Sequence, residues 1–339
     1  MMRVIRLSDR ISEEERIHTL KALQNRFPGT EFLGRSTLLL RLHTDAKTSA
    51  ETPRETLAEF GGIQEIIDDV PDYALSSRRL TPTDTAIAID GETIGGGRGP
   101  VIIAGPCSVE GYDQMARVAE RLAALGVRFM RAGAYKPRTS PYSFQGLKQA
   151  GLEIIARIKK EFGLLMVTEV MSGDRIDEVS EVADMLQVGS RNMFNYAFLE
   201  QLGRQTKPVL LKRGMAAGMH EFLLSAEYML AAGNGNVVLC ERGIKTFEVA
   251  TRNTLDLNVV PHVKQRSHLP IVVDPSHGTG VRSLVAPMSL AALACGADGL
   301  LIEVHDDPEH AMSDGDQSIT PDELEELMKT MNVISRRVA

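Results

Sequence analysis

The sequence has little cysteine: Cys107, Cys240 and Cys295 are the three in 339 residues. That is too few for a disulfide framework, so a reducing cytoplasm is the expected compartment, where free thiols can serve as ligands. There is no excess of positive charge. The formal net charge is -7, which excludes a nucleic-acid binder held by a global positive field. Any anionic ligand must then be met by locally clustered Arg and Lys. Long apolar runs are missing too. The most apolar stretch, roughly Leu284 to Ile302, is interrupted by Pro287, Gly296 and Asp298, which reads as a buried helix and strand and not as a membrane span. No signal peptide is expected, because Met1-Met2-Arg3 leads straight into a short strand-like segment.

What is present is ordinary for a globular enzyme: 43% apolar and 24% charged residues. The length suits a barrel plus a small extra domain. Residues 1–70 read β-α-β-β-α-β by hydrophobic period. Arg3–Leu7 is a strand. Ser12 caps a helix, with Glu15 completing a capping box. Glu31–Gly34 and Thr37–Leu42 form a hairpin, Ser49–Phe60 a second helix and Ile63–Asp69 a fourth strand. This is the order of a ferredoxin-like module. Residues 71–84 are a polar linker, and 85–339 form the second domain. It opens with a short hairpin, Ala86–Ile89 and Thr93–Ile94.

Strand and helix then alternate. The expected strands are Val101–Ala104, Arg128–Arg131, Leu164–Glu169, Met185–Val188, Val209–Lys212, Val237–Glu241, Ile271–Asp274 and Leu300–Glu303. Eight such units predict a (β/α)8 barrel. A doubly wound open sheet is the alternative, but no G-x-G-x-x-G follows the first strand.

Active sites of such barrels lie at the C-terminal ends of the strands. Two kinds of residue fall there. Arg131, Lys136, Arg138, Arg191, Lys212 and Arg242 are cationic. With no matching set of acids they would repel one another unless they surrounded an anion, such as a phosphate or a carboxylate. Cys107, His277, Glu303 and Asp314 offer thiolate, imidazole and carboxylate, a mixed set suited to divalent Mn, Fe, Co or Zn. Taken singly, Cys107, His277 and Asp314 have plainer readings: a buried hydrophobic thiol for the first and turn residues for the other two.

Ile103-Ala104-Gly105-Pro106-Cys107-Ser108, the run Arg131 to Pro141 containing Lys136-Pro137-Arg138-Thr139-Ser140, Leu211-Lys212-Arg213-Gly214, Cys240-Glu241-Arg242-Gly243, Asp274-Pro275-Ser276-His277 and Ser313-Asp314-Gly315 carry a resemblance. They are similar to the 3-deoxy-arabino-heptulosonate 7-phosphate (DAHP) synthases, specifically the Iβ subgroup. The resemblance implies condensation of phosphoenolpyruvate with erythrose 4-phosphate, at the head of aromatic amino-acid biosynthesis. It implies that Arg131, Lys136, Arg191, Lys212 and Arg242 hold phosphoenolpyruvate. Arg138, Thr139 and Ser140 would hold the phosphate of erythrose 4-phosphate, and Cys107, His277, Glu303 and Asp314 the divalent metal.

Lys136 would protonate the developing alkoxide, with a pKa lowered by its cationic neighbours. Catalytic roles thus fall to Lys136, Cys107, His277 and Glu303. The resemblance further implies an N-terminal regulatory domain binding tyrosine or phenylalanine, and a homotetramer. The alternatives are a 3-deoxy-octulosonate 8-phosphate type synthase using arabinose 5-phosphate, disfavoured by Lys136-Pro137-Arg138, or a non-catalytic sensing barrel.

Overall fold

The computed structural model describes residues 2–34, 39–42, 54–136 and 140–338. Among them, strand β1 (Met2–Leu7), helix α1 (Glu13–Arg26), β2 (Glu31–Phe32), β3 (Leu39–Leu42), α2 (Arg54–Ala58) and β4 (Ile63–Val70) follow in the expected order. They form one antiparallel sheet, β2-β3-β1-β4. Ser12 Oγ accepts from Glu15 N at 3.2 Å while Ser12 N donates to Glu15 Oε2 at 2.7 Å, so the capping box starts α1 as expected.

The period-two pattern of β1 sends Ile5 and Leu7 to one face and Val4 to the other. Ile5, Leu7, Leu40 and Leu42 pack with Leu23 and Leu57 of the helices. Val4, Leu39 and Val70 pack with Ala74 and Leu80 from the segment that follows the sheet. The expected hairpin and second helix extend in part into 35–38 and 49–53, outside the described residues.

Strands β5 (Ala86–Ile89) and β6 (Glu92–Gly95) form the expected hairpin. Eight parallel strands then close into a barrel: β7 (Val101–Gly105), β8 (Phe129–Arg131), β9 (Leu165–Glu169), β10 (Met185–Val188), β11 (Val209–Lys212), β12 (Val237–Glu241), β13 (Ile271–Val273) and β14 (Gly299–Glu303). The helices between and after them are α3 (Tyr112–Ala124), α4 (Gln149–Phe162), α5 (Ile176–Val182), α6 (Tyr196–Leu202), α7 (Met219–Ala231), α8 (Val259–Arg266), α9 (Pro275–Thr279), α10 (Arg282–Ala294) and α11 (Pro321–Val338).

Inward side chains fill the barrel. Ile103, Phe129, Val167, Leu210, Val238 and Leu301 form one buried cluster with Ile87, Ile89 and Ile94 of the hairpin, which plugs the N-terminal end. Outward side chains pack under the helices in a second, larger core. The apolar stretch broken by Pro287 resolves into α10 and β14. No helix among the described residues is long and apolar enough to cross a membrane. With the hydrophobic plug at one end, functional side chains are left to gather at the other.

Candidate active site

The C-terminal strand ends close on a cavity of about 90 Å³. Its lining includes Arg131, Lys136, Arg191, Lys212, Arg242 and His277. A larger cavity, about 790 Å³, opens at the opposite rim between the β5–β6 hairpin and α10–α11, lined by Ile102, Val127, Leu293 and Met328 among others. Size does not mark the site here. The buried cations and the metal-type donors surround the smaller cavity.

Cys107, His277, Glu303 and Asp314 each offer one ligand atom, and these four atoms lie within 4.8 Å of one another. Cys107 follows β7, His277 sits on α9, Glu303 ends β14 and Asp314 lies in the loop after it. The Cys107 thiol donates to Asp314 Oδ2 at 3.0 Å. His277 Nε2 is 3.3 Å from Glu303 Oε1. Asp274 caps α9, its Oδ1 accepting from His277 N at 2.9 Å, and its Oδ2 lies 2.8 Å from His277 Nδ1. A carboxylate only accepts, so Asp274 favours the proton on Nδ1 and leaves Nε2 to face the other donors. Soft thiol, imidazole and two carboxylates with one ring nitrogen oriented from behind are a donor set that fits a divalent transition metal.

Burial and neighbouring charges set the protonation of each donor. Burial pushes His277 down to about 4, against the pull of Asp274 and Glu303, so the ring is neutral at neutral pH. Burial, with Glu303, pushes the Cys107 thiol up to about 12. For Asp314, burial opposes the charge, but the Cys107 hydrogen bond, His277, Arg252 and Lys136 outweigh it and hold the carboxyl below its ordinary range. For Glu303, His277 and Arg131 likewise outweigh burial and lower the pKa.

The cations are more evenly matched than their number at the strand ends suggests. Arg131 Nη1 pairs with Glu303 Oε1 at 2.6 Å and Lys212 Nζ with Asp274 Oδ2 at 2.6 Å, all four side chains buried. The expectation of unmatched cations is corrected for these two: in each pair the acid comes from the strand end next but one around the barrel. Arg242 differs. It is 4% exposed, and among the described residues its guanidinium donates to Gly243 O at 3.5 Å and no carboxylate lies in ion-pair range. Burial lowers its pKa. A buried guanidinium so placed calls for an anion in the cavity.

Lys136 Nζ donates to the Cys107 carbonyl at 3.0 Å and lies 2.9 Å from its sulfur. Its pKa was expected to fall, and instead it rises. Burial opposes the charge, but the Cys107 sulfur, Glu169 and Glu303 outweigh it and the repulsion of Arg131. Lys136 is therefore an ammonium donor at neutral pH.

Residues 80–338 match the DAHP synthetase I family. The chain belongs to that family. A phospho-2-dehydro-3-deoxyheptonate aldolase of Thermotoga maritima is 49% identical over 273 residues, 80% of each chain. The crystal structure of a DAHP synthase from the same organism superposes with a TM-score of 0.79 at 40% identity, covering 99% of this chain and 98% of that one. More distant is a 2-dehydro-3-deoxyphosphooctonate aldolase of Geobacter sulfurreducens, 32% identical over 268 residues, 73% of this chain and 97% of that one.

Arg131, Lys136, Arg191, Lys212 and Arg242 line one cavity together with His277 and Asp314, and Cys107 and Glu303 lie beside them. Arg138 and Thr139 fall outside the described residues. Ser140 is exposed, its Oγ accepting from Tyr142 N, and is not part of the cavity lining.

Sequence reasoning assigned no role to Glu169, Arg252, Gln317 or Asp274. Glu169 is a buried carboxylate in the cavity wall. Gln317 Nε2 donates to Glu303 Oε2 at 2.6 Å. The one signal in the sequence was Asp274-Pro275, an N-cap followed by proline at the first helical position.

Proposed function

We propose that this enzyme condenses phosphoenolpyruvate with erythrose 4-phosphate and water to DAHP and phosphate, the first step toward aromatic amino acids. The observation that carries the reading is the single cavity in which buried Arg131, Lys212 and Arg242, with Lys136, face a Cys-His-Glu-Asp donor set. Arg242 and Arg191 take the phosphoenolpyruvate phosphate and carboxylate, with Lys136 and Lys212 as point charges.

Carbon 3 of phosphoenolpyruvate adds to the aldehyde carbon, water adds at carbon 2, and C–O cleavage then releases phosphate. Cys107, His277, Glu303 and Asp314 would hold a divalent ion, one of Mn, Fe, Co or Zn, which when bound would supply Lewis acidity toward the aldehyde oxygen. Lys136, kept protonated, delivers a proton to the developing alkoxide. Glu169 is the cavity carboxylate outside the donor cluster, and it orients the water that adds at carbon 2. Much of the rate follows from holding two mutually repelling anions in register. Arg138, Thr139 and Ser140 hold the phosphate of the aldose.

Residues 1–70 are a regulatory domain joined by 71–84 to a catalytic domain at 85–339. It binds tyrosine or phenylalanine, in a homotetramer of the cytoplasm. The separate β2-β3-β1-β4 sheet, distinct from the closed barrel, supports the regulatory part of this reading.

The test is to strip the protein of metal, supply phosphoenolpyruvate with either erythrose 4-phosphate or arabinose 5-phosphate, and restore Mn²⁺. Metal-dependent loss of phosphoenolpyruvate absorbance with the four-carbon aldose alone is the expected result. Loss with arabinose 5-phosphate instead would move the chain to the octulosonate reaction. No loss with either would end the reading.

A further inference from the structure

The loop between β12 and α8 folds back on itself through an antiparallel bridge between Ile244 and Thr254. Its tip is bare, with Phe247 97% and Val249 89% exposed. Its base is not. Arg252 N donates to Thr279 O at 2.8 Å, and Asn253 Nδ2 donates to the carbonyl of His277 at 2.8 Å. The Arg252 guanidinium reaches further: Nη1 donates to Asp314 Oδ1 at 3.0 Å and to Gln317 Oε1 at 2.7 Å. Gln317 in turn donates to Glu303 Oε2 at 2.6 Å, its side chain buried. Two adjacent residues of one loop thus reach three of the four donor residues.

The backbone is shaped to let them approach. Gly280 has φ +70°, and a Cβ there would stand 2.5 Å from Arg252 Cβ. Gly243 has φ +91°, and a Cβ there would stand 2.7 Å from Asn253 Cβ. Both conformations favour glycine, and both spaces are already filled by the clasp.

We infer that Arg252, with Asn253 and Gln317, is a positioning clasp that sets the geometry of the metal centre by holding both carboxylate ligands and the backbone of the histidine ligand. The inference rests on the metal reading of Cys107, His277, Glu303 and Asp314. Outer partners of this kind fix ligand orientation before the ion arrives, and losing one typically weakens metal binding about 10–100-fold. Arg252 is suited to the task because a planar fork can serve two acceptors at once, which an ammonium on a flexible stem does not.

The experiment uses the full-length, metal-stripped protein. Mn²⁺ affinity is read from free Mn²⁺ by electron paramagnetic resonance, and ligand geometry from the cobalt-thiolate absorption of the Co²⁺ form. Arg252→Ala and Gln317→Ala should each weaken Mn²⁺ binding by about 10–100-fold and shift the Co²⁺ spectrum. The double variant should lose less than the product of the two, because both act on Glu303 through one link. Arg252→Lys should be intermediate, and Phe247→Ala at the loop tip should match the parent.

Folded Arg252→Ala with parental Mn²⁺ affinity and spectrum would overturn the clasp, as would an effect confined to the KM of the aldose phosphate. Cys107→Ser separates the two readings. If the parent takes up no stoichiometric Mn²⁺, or Cys107→Ser binds it equally well, the metal centre and the clasp fall together. If that control behaves as a ligand loss and Arg252→Ala does not, only the clasp falls.

Discussion

Cys107 and His277 stand beside each other in opposite protonation conditions. Burial leaves the imidazole neutral, with its pKa down at about 4, and leaves the thiol protonated, with its pKa up at about 12. A ligand thiolate must shed that proton, so Mn²⁺ binding should release about one proton per site at neutral pH. Because a proton leaves on binding, raising the pH favours binding, and affinity should climb roughly tenfold per pH unit across the neutral range. Titration calorimetry in buffers of different ionisation enthalpy counts the protons, and a count of zero would remove Cys107 from the ligand set.

Lys136 gives a second test at this scale. As a protonated donor beside the cluster, its loss in Lys136→Ala should lower turnover by ~10²–10⁴. Near-parental turnover would exclude it from proton transfer. That Cys107, His277 and the clustered cations converge at one barrel end was legible because all of them fall at the C-terminal ends of strands. Glu169, Arg252 and Gln317 were not legible, since such residues are common on surfaces. Arg252 and Asp314 are 62 positions apart, and only the closed barrel brings them together.

Among the elements, α9 shows where periodicity stops being informative. The eight barrel strands could be read because alternation and apolar runs persist over several residues, and their bounds fall within one or two residues of expectation. Helix α9 spans only Pro275–Thr279, too short for a 3.6-residue period, so His277 looked equally like a turn residue. What builds it is Asp274, which caps the helix, pairs with Lys212 and faces His277 Nδ1.

Asp274→Asn separates these duties. Asparagine caps a helix as well as aspartate does, so α9 should persist. The buried Lys212 would lose its counter-charge, at roughly 3–5 kcal/mol of stability. His277 would lose its orienting carboxylate, at about 10–100-fold in Mn²⁺ affinity. Thermal denaturation and Mn²⁺ titration of the one variant read the two effects, and parental values in both would show that the charge of Asp274 serves neither.

At the scale of the whole molecule, the question is how the N-terminal sheet is held to the barrel. Asp72 Oδ1 meets His220 Nε2 at 2.8 Å, and the Tyr73 ring packs edge-on against His220. The Glu227 carboxylate on α7 accepts from Leu75 N at 2.6 Å and Ser76 N at 2.9 Å. His268 Nε2 lies 2.7 Å from the Leu75 carbonyl. The connecting segment is thus pinned to the barrel wall, although its polar composition alone suggested a tether.

Removing residues 1–70 should leave turnover and abolish inhibition by an aromatic amino acid, and a truncated protein with an intact inhibition curve would refute the regulatory role.

The pin itself titrates. Burial raises Glu227 to about 7, with Asp72 adding to the rise and the Leu75 and Ser76 amides opposing it. The folded chain then holds a proton that the unfolded chain gives up near its ordinary value of 4.5. Its contribution to stability is complete below that value, falls as pH rises, and is gone above about 7, a change on the order of 3 kcal/mol. Glu227→Gln removes the titration, so the decline in melting temperature from pH 5 to pH 8 should be shallower in the variant than in the parent. Parallel curves would mean that the carboxyl carries the same charge in the folded and unfolded chains and that the clamp on residues 75 and 76 is insensitive to pH.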